Sequence, residues 1–152
     1  MEHSRLDSLR LIRSAQIGPI TYRQLIADLA ARGGGRPPRL AEPALILREV
    51  ERTQSLGASY VFIGESDYPA LLAEMETAPP ALIYRGDLSL AKRRCVGMVG
   101  ARNASAAACR FSRMLGQGLA AEGVTVVSGL ARGIDTAAHQ GAIDNGTIGV
   151  IA

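Results

Sequence analysis

Apolar positions recur every three or four residues along the first third of the chain. Leu6, Leu9 and Ile12, then Tyr22, Leu25, Ile26 and Leu29, predict helices across residues 4–31. Ile17-Gly18-Pro19-Ile20-Thr21 interrupts the rhythm. Glycine and proline there end the first helix, and Thr21 is placed to cap the next. Residues 32–43 hold three glycines and three prolines and read as a turn or flexible loop. Leu47, Val50 and Leu56 then resume a helical pattern over 44–56. A small all-helical domain over residues 1–55 follows, too short for a large core of its own.

Past Gly57 the period changes. Short apolar runs predict strands at 60–63, 81–84, 95–99, 124–127 and 147–151. A helix starts within 67–72 and is stopped by Pro79-Pro80; further helices are expected over 105–121 and 135–145. Strand alternating with helix predicts an α/β fold over 56–152, with a mostly parallel sheet and crossover helices. The runs are continuously apolar, as in strands covered on both faces. The last one reaches Ala152, so the sheet is expected to be incomplete at its C-terminus.

Two of the strand-to-helix turns carry the chemistry. The first is Val96-Gly97-Met98-Val99-Gly100-Ala101-Arg102; the second runs from Ser128 through Gly129, Leu130, Ala131, Arg132 and Gly133 to Asp135. Small residues at a strand end leave backbone N–H groups open, and a helix start adds free donors and partial positive charge. Two such turns on neighbouring parallel strands would form one anion-binding crevice. Gly100 would let a phosphate approach the backbone, with Arg102 beside it. Ser105 reads as a helix cap that could also touch the ligand. Ser128 would offer a hydroxyl, Gly129 and Gly133 free backbone, and Arg132 a cation. Asp135 is expected as the N-cap of the next helix, and His139, one turn on, as a packing or hydrogen-bonding group.

Other chemistries find little support. The chain lacks a full GxGxxG fingerprint and a GxxxxGK[ST] loop, and no Ser-His-Asp set or run of carboxylates for magnesium can be assembled. No cofactor or metal is therefore expected, and a binding protein fits better than an enzyme. Sixteen of the seventeen basic residues are arginine, whose flat fork suits phosphate, although base composition alone could produce that bias. Lys92-Arg93-Arg94 reads as a solvated linker. Cys95 and Cys109 have no metal spacing and are expected as reduced core thiols. With no membrane-length apolar run and no signal-peptide core, the default expectation is a cytoplasmic protein.

The run Ser128 to Asp135, followed by Ala138-His139 and Gly141-Ala142, resembles the most distinctive motif of the DNA-processing protein A family (DprA, also called Smf). Val99-Gly100-Ala101-Arg102 resembles that family's glycine-hydroxyl-arginine turn. Tyr68-Pro69 with Leu71 and Leu72, then Pro79-Pro80, Leu82, Tyr84 and Gly86, resembles its entry segment. The resemblance covers residues 57–152; the N-terminal helices look, less specifically, like a sterile-alpha-motif-like or helix-hairpin-helix-like domain. It implies an extended Rossmann-like sheet. It also implies single-stranded DNA binding, loading of the RecA recombinase in natural transformation and recombination, and homodimers of the full-length protein. Arg102 and the turn from Ser128 to Gly133 would then hold DNA phosphates. Ala101 departs from the pattern by removing a hydroxyl, and Ala107 and Ala108 stand where the family has tyrosine and glycine.

Two further readings stand beside this one. A nucleoside monophosphate phosphoribohydrolase would use similar turns but needs a carboxylate near the sugar, for which Asp135 is a candidate. Residues 1–55 could also form a partner-binding module, or contact duplex phosphate through Ile17-Gly18-Pro19-Ile20.

Overall fold

The computed structural model describes residues 5–32 and 39–151. Residues 33–38, half of the predicted loop over 32–43, lie outside them. The chain divides into two compact units, Met1–Gly86 and Asp87–Ala152.

The first unit begins with α1 (Arg5–Ile12), α2 (Pro19–Arg32) and α3 (Pro43–Ser55). Helix α2 starts earlier than its sequence suggests. Pro19 takes the first helical position, where a missing N–H costs nothing. Thr21 therefore lies inside the helix rather than capping it, and the Gly18 carbonyl accepts from Tyr22 N at 2.9 Å. Helix α3 ends in a paired-hydrogen-bond stop: Gly57 N donates to Gln54 O and Ala58 N to Thr53 O. Gly57 has φ 68°, the left-handed conformation this stop needs.

Strands β1 (Ser59–Phe62) and β2 (Ala81–Tyr84) follow, with the single helical turn α4 (Ala70–Ala73) between them. They pair antiparallel as a separate two-stranded sheet, from Ser59 opposite Tyr84 to Phe62 opposite Ala81. This departs from the parallel arrangement expected of them. A parallel return is usually made by a crossover helix running back along the sheet, and α4 is only a single turn. Phe62 packs with Leu9 and Ile46, flanked by Ile12, Val50, Tyr60 and Ala81. The strands thus share a core with the helices. Polar bonds reinforce it: Arg13 forks onto Glu49 at 2.7–3.2 Å, Glu49 also accepts from the Tyr60 hydroxyl at 2.9 Å, and Arg5 lies over the Phe62 ring.

The second unit starts with a 3-10 turn at Leu88–Lys92 and continues through β3 (Cys95–Gly97), α5 (Ala106–Ala121), β4 (Thr125–Ser128), α6 (Ile134–Ala142) and β5 (Thr147–Gly149). The strands form a parallel sheet in the order β3-β4-β5, joined by the two helices. This is the Rossmann-like arrangement. Met98, Ala120, Val126, Ala138 and Ala142 are its buried core. Burying Val126 alone contributes about 2 kcal/mol. Helices α5 and α6 touch backbone to backbone: a Cβ on Gly141 would collide with the Arg113 carbonyl and lie 2.9 Å from Gln117 N.

Only β4 shows the covering on both faces that its composition implies. All of β3 is exposed, as an edge strand, and Val99 beyond it is 85% exposed. Cys95 is consequently exposed rather than a core thiol, its Sγ donating to the Arg93 and Leu90 carbonyls. Partial desolvation still pushes that thiol's pKa up, so it is no activated nucleophile.

Candidate nucleic-acid interface

Parallel pairing sets the level at which the two turns leave the sheet. Gly97 lies opposite Val127, and Met98 N donates to Val127 O at 2.9 Å, so β3 and β4 end side by side. Ser128 fastens these ends: its hydroxyl donates to Met98 O at 2.6 Å. That side chain is buried, so Ser128 ties strand to strand instead of presenting its hydroxyl to a ligand.

The turns then touch each other. Ile134 N donates to Ala101 O at 3.3 Å. Gly133 has φ 85°, and a Cβ there would collide with the Ala101 carbonyl and sit 2.6 Å from Arg102 O. Gly100 is open for a different reason than its sequence implies. A Cβ on it would lie 2.6–2.8 Å from the Ile134 side chain, so protein, not an anion, fills that space. Ser112 Oγ holds the Ile134 carbonyl at 3.1 Å from α5. Ser105 is the N-cap of α5, its Oγ accepting from Ala108 N at 3.2 Å.

Asp135 departs from expectation. Gly133 occupies the cap position of α6, and Asp135 is the second helical residue. Its buried carboxylate turns back out of the helix. Oδ2 accepts from Gly129 N at 3.2 Å and from Ala131 N at 3.4 Å. Two of the donors expected to cradle a phosphate are therefore satisfied internally. Thr136 completes the grip, its N and Oγ1 donating to Ala131 O at 3.0 and 2.7 Å. Leu130, between the two clasped amides, has φ 60°. That left-handed conformation costs an L-residue about 1–2 kcal/mol, and the clasp is what can hold it.

The charged side chains that remain outward-facing are cationic. Arg102 and Arg132 are both exposed, and among the described residues neither guanidinium has a hydrogen bond or ion pair. Backbone N–H groups of Arg102, Asn103, Arg132 and Gly133 likewise have no partner among the described residues. The N-terminal end of α6 adds partial positive charge. Residues 87–152 carry seven basic and four acidic side chains, against ten and ten in residues 1–86, so the whole net charge of +3 belongs to the unit with these turns. Arg93 is not part of the surface: it lies at the opposite end of the strands and donates to Asn145 O at 3.0 Å.

His139 is buried and hydrogen-bonds Thr147 Oγ1 through Nδ1 at 2.8 Å. Thr147 Oγ1 gives its own proton to Val126 O, so Nδ1 carries the hydrogen. This is the packing and hydrogen-bonding role its position suggests. Among the described residues no cluster of three His, Cys, Asp or Glu could hold a metal ion, and no helix is long and apolar enough to cross a membrane.

Paired turns bearing unpaired arginines lie at the C-terminal end of a parallel sheet with crossover helices, the arrangement of a Rossmann-like domain. The profile of the family described as DNA recombination-mediator protein A matches residues 59–152, and that of a DprA-like N-terminal HHH domain matches residues 2–29. The chain belongs to the DNA recombination-mediator protein A family. It is 33% identical to the DNA processing protein DprA of Streptococcus pneumoniae over 99% of this chain and 55% of that protein. It is 36% identical to DprA of Bacillus subtilis over 63% of this chain and 33% of that one. The X-ray structure of the Streptococcus pneumoniae protein superposes with a TM-score of 0.73 at 29% identity, covering 99% of this chain and 58% of the other. The chain thus spans about half, or less, of the length of these relatives.

Proposed function

We propose that this chain binds single-stranded DNA without sequence preference and serves recombination as a mediator rather than as an enzyme. The observation that carries the reading is the pair of unpartnered guanidinium groups, Arg102 and Arg132, on turns locked together through Ile134 and Gly133. Locked turns spare the backbone ordering cost, leaving only the arginine side chains to be ordered on binding, and guanidinium groups favour phosphate oxygens. The phosphate contacts fall on Arg102, Arg132 and the open amides around them. Gly100, Ser105, Ser128, Gly129 and Asp135 shape and fasten that surface. The inward-turned Asp135 carboxylate also supports binding over phosphoribohydrolase chemistry, which would need it free beside a sugar.

In the longer protein that the family resemblance implies, the held strand would pass to the RecA recombinase during natural transformation, and the protein would act as a homodimer. A labelled oligo-dT titrated with the 152-residue chain across a salt series tests the core of the reading. We expect saturable binding that weakens steeply with salt. Absent or salt-independent binding would overturn it.

A further inference from the structure

We propose that Leu130 is an apolar platform for the bases of the bound strand, a role that rests on the single-stranded DNA reading above. Leu130 is a large side chain in a backbone conformation suited to glycine or asparagine, with φ 60°. The protein holds it there by anchoring both neighbours, Gly129 N and Ala131 N on Asp135, and Ala131 O on Thr136. Its inner side rests on β5: a Cβ on Gly149 would lie 2.6 Å from Leu130 Cγ and Cδ1. Its outer side is open, leaving the residue 57% exposed. The fold therefore supports this leucine from beneath and presents it to solvent.

The surroundings indicate what it meets. Leu130 is two residues from Arg132, on a turn locked to that of Arg102, and both guanidinium groups are unpaired. Cations that take phosphates leave the bases of the same strand to find apolar contact. An aliphatic surface reads no hydrogen-bonding edge, so this contact tolerates any base, as sequence-independent strand binding requires.

The test uses the 152-residue chain, its Leu130→Asn and Leu130→Phe variants, and two oligomers of equal length, oligo-dT and an abasic strand. Asparagine tolerates the left-handed backbone, so Leu130→Asn should melt no lower than the parent. Affinity of Leu130→Asn for oligo-dT should nevertheless fall about fivefold, at an unchanged salt slope. Its affinity for the abasic strand should match the parent's, and Leu130→Phe should bind oligo-dT at least as tightly as the parent. An equal loss on both strands, or no loss on either, would overturn the platform while leaving the phosphate reading intact. Failure of the parent to bind either strand would remove both.

Discussion

The first unit and the two turns of the second use arginine in opposite ways. In residues 1–86 it is a structural staple. Arg13 forks onto Glu49, Arg5 pairs with Glu65 and donates to Tyr60 O, Arg10 reaches Ala41 O and Asp7, and Arg23 holds Ala73 O at 2.7 Å. In residues 87–152 Arg93 holds Asn145 O and Arg113 holds Gln140 Oε1, whereas the arginines on the two turns are left unpaired among the described residues. A charge that already has a partner contributes little to capturing another. The contrast separates cations that hold the fold from cations available to a ligand, although the residue type is the same.

The largest expected effect tests whether the turns are locked as a unit. Gly133→Ala places a side chain at φ 85° against the carbonyls of Ala101 and Arg102. We expect a loss of about 3 kcal/mol, with hydrogen-exchange protection falling in residues 87–152 and not in 1–86. Uniform loss, or none, would break the lock. Next is Asp135→Asn, which weakens the clasp on Gly129 and Ala131. About 2 kcal/mol of stability should go, measured by urea denaturation, with no loss of any nucleosidase activity on a nucleoside monophosphate panel because none is expected in the parent.

Smaller effects belong to the first unit. Arg13→Ala should lower stability by about 1 kcal/mol, because the pair is half-exposed and screened, with DNA affinity unchanged. Smaller still is the pH effect of the same network. The hydrogen bond from Arg13 holds the Glu49 carboxyl below its usual 4.5, against the opposing effect of burial. A lowered carboxylate stabilises the fold above 4.5 and loses that contribution as pH falls through the folded value. Burial, chiefly, raises the Tyr60 phenol above 10.0, so its contribution is complete below that pH and is lost in more alkaline solution. Thermal melts of Glu49→Gln against the parent should converge in acid and diverge near neutrality.

How far the sequence spoke depended on the range of the interaction involved. The parallel β3-β4-β5 sheet was readable because apolar strand runs, separated by helix patterns, define it locally. The Ser105 cap was readable for the same reason. The antiparallel pairing of β1 with β2 was hidden, because four-residue strands carry too little pattern to show direction. Gly100 and Asp135 were recognised as special for reasons that differ from those the structure reveals. The partner of Gly100 is Ile134, thirty-four residues away, and Asp135 turns back onto its own loop instead of forward into its helix. Leu130 offered only one signal, a large apolar residue inside a glycine-bounded turn.

Salt dependence of oligo-dT binding, measured for Arg102→Ala, Arg132→Ala and Arg13→Ala side by side, tests the division of labour most directly. Each single-strand phosphate contact adds about 0.7 to the slope of log affinity against log salt. Both turn variants should flatten the slope by about that amount, and Arg13→Ala should reproduce the parent. Parental slopes from both turn variants, or flattening by Arg13→Ala as large as theirs, would contradict the account.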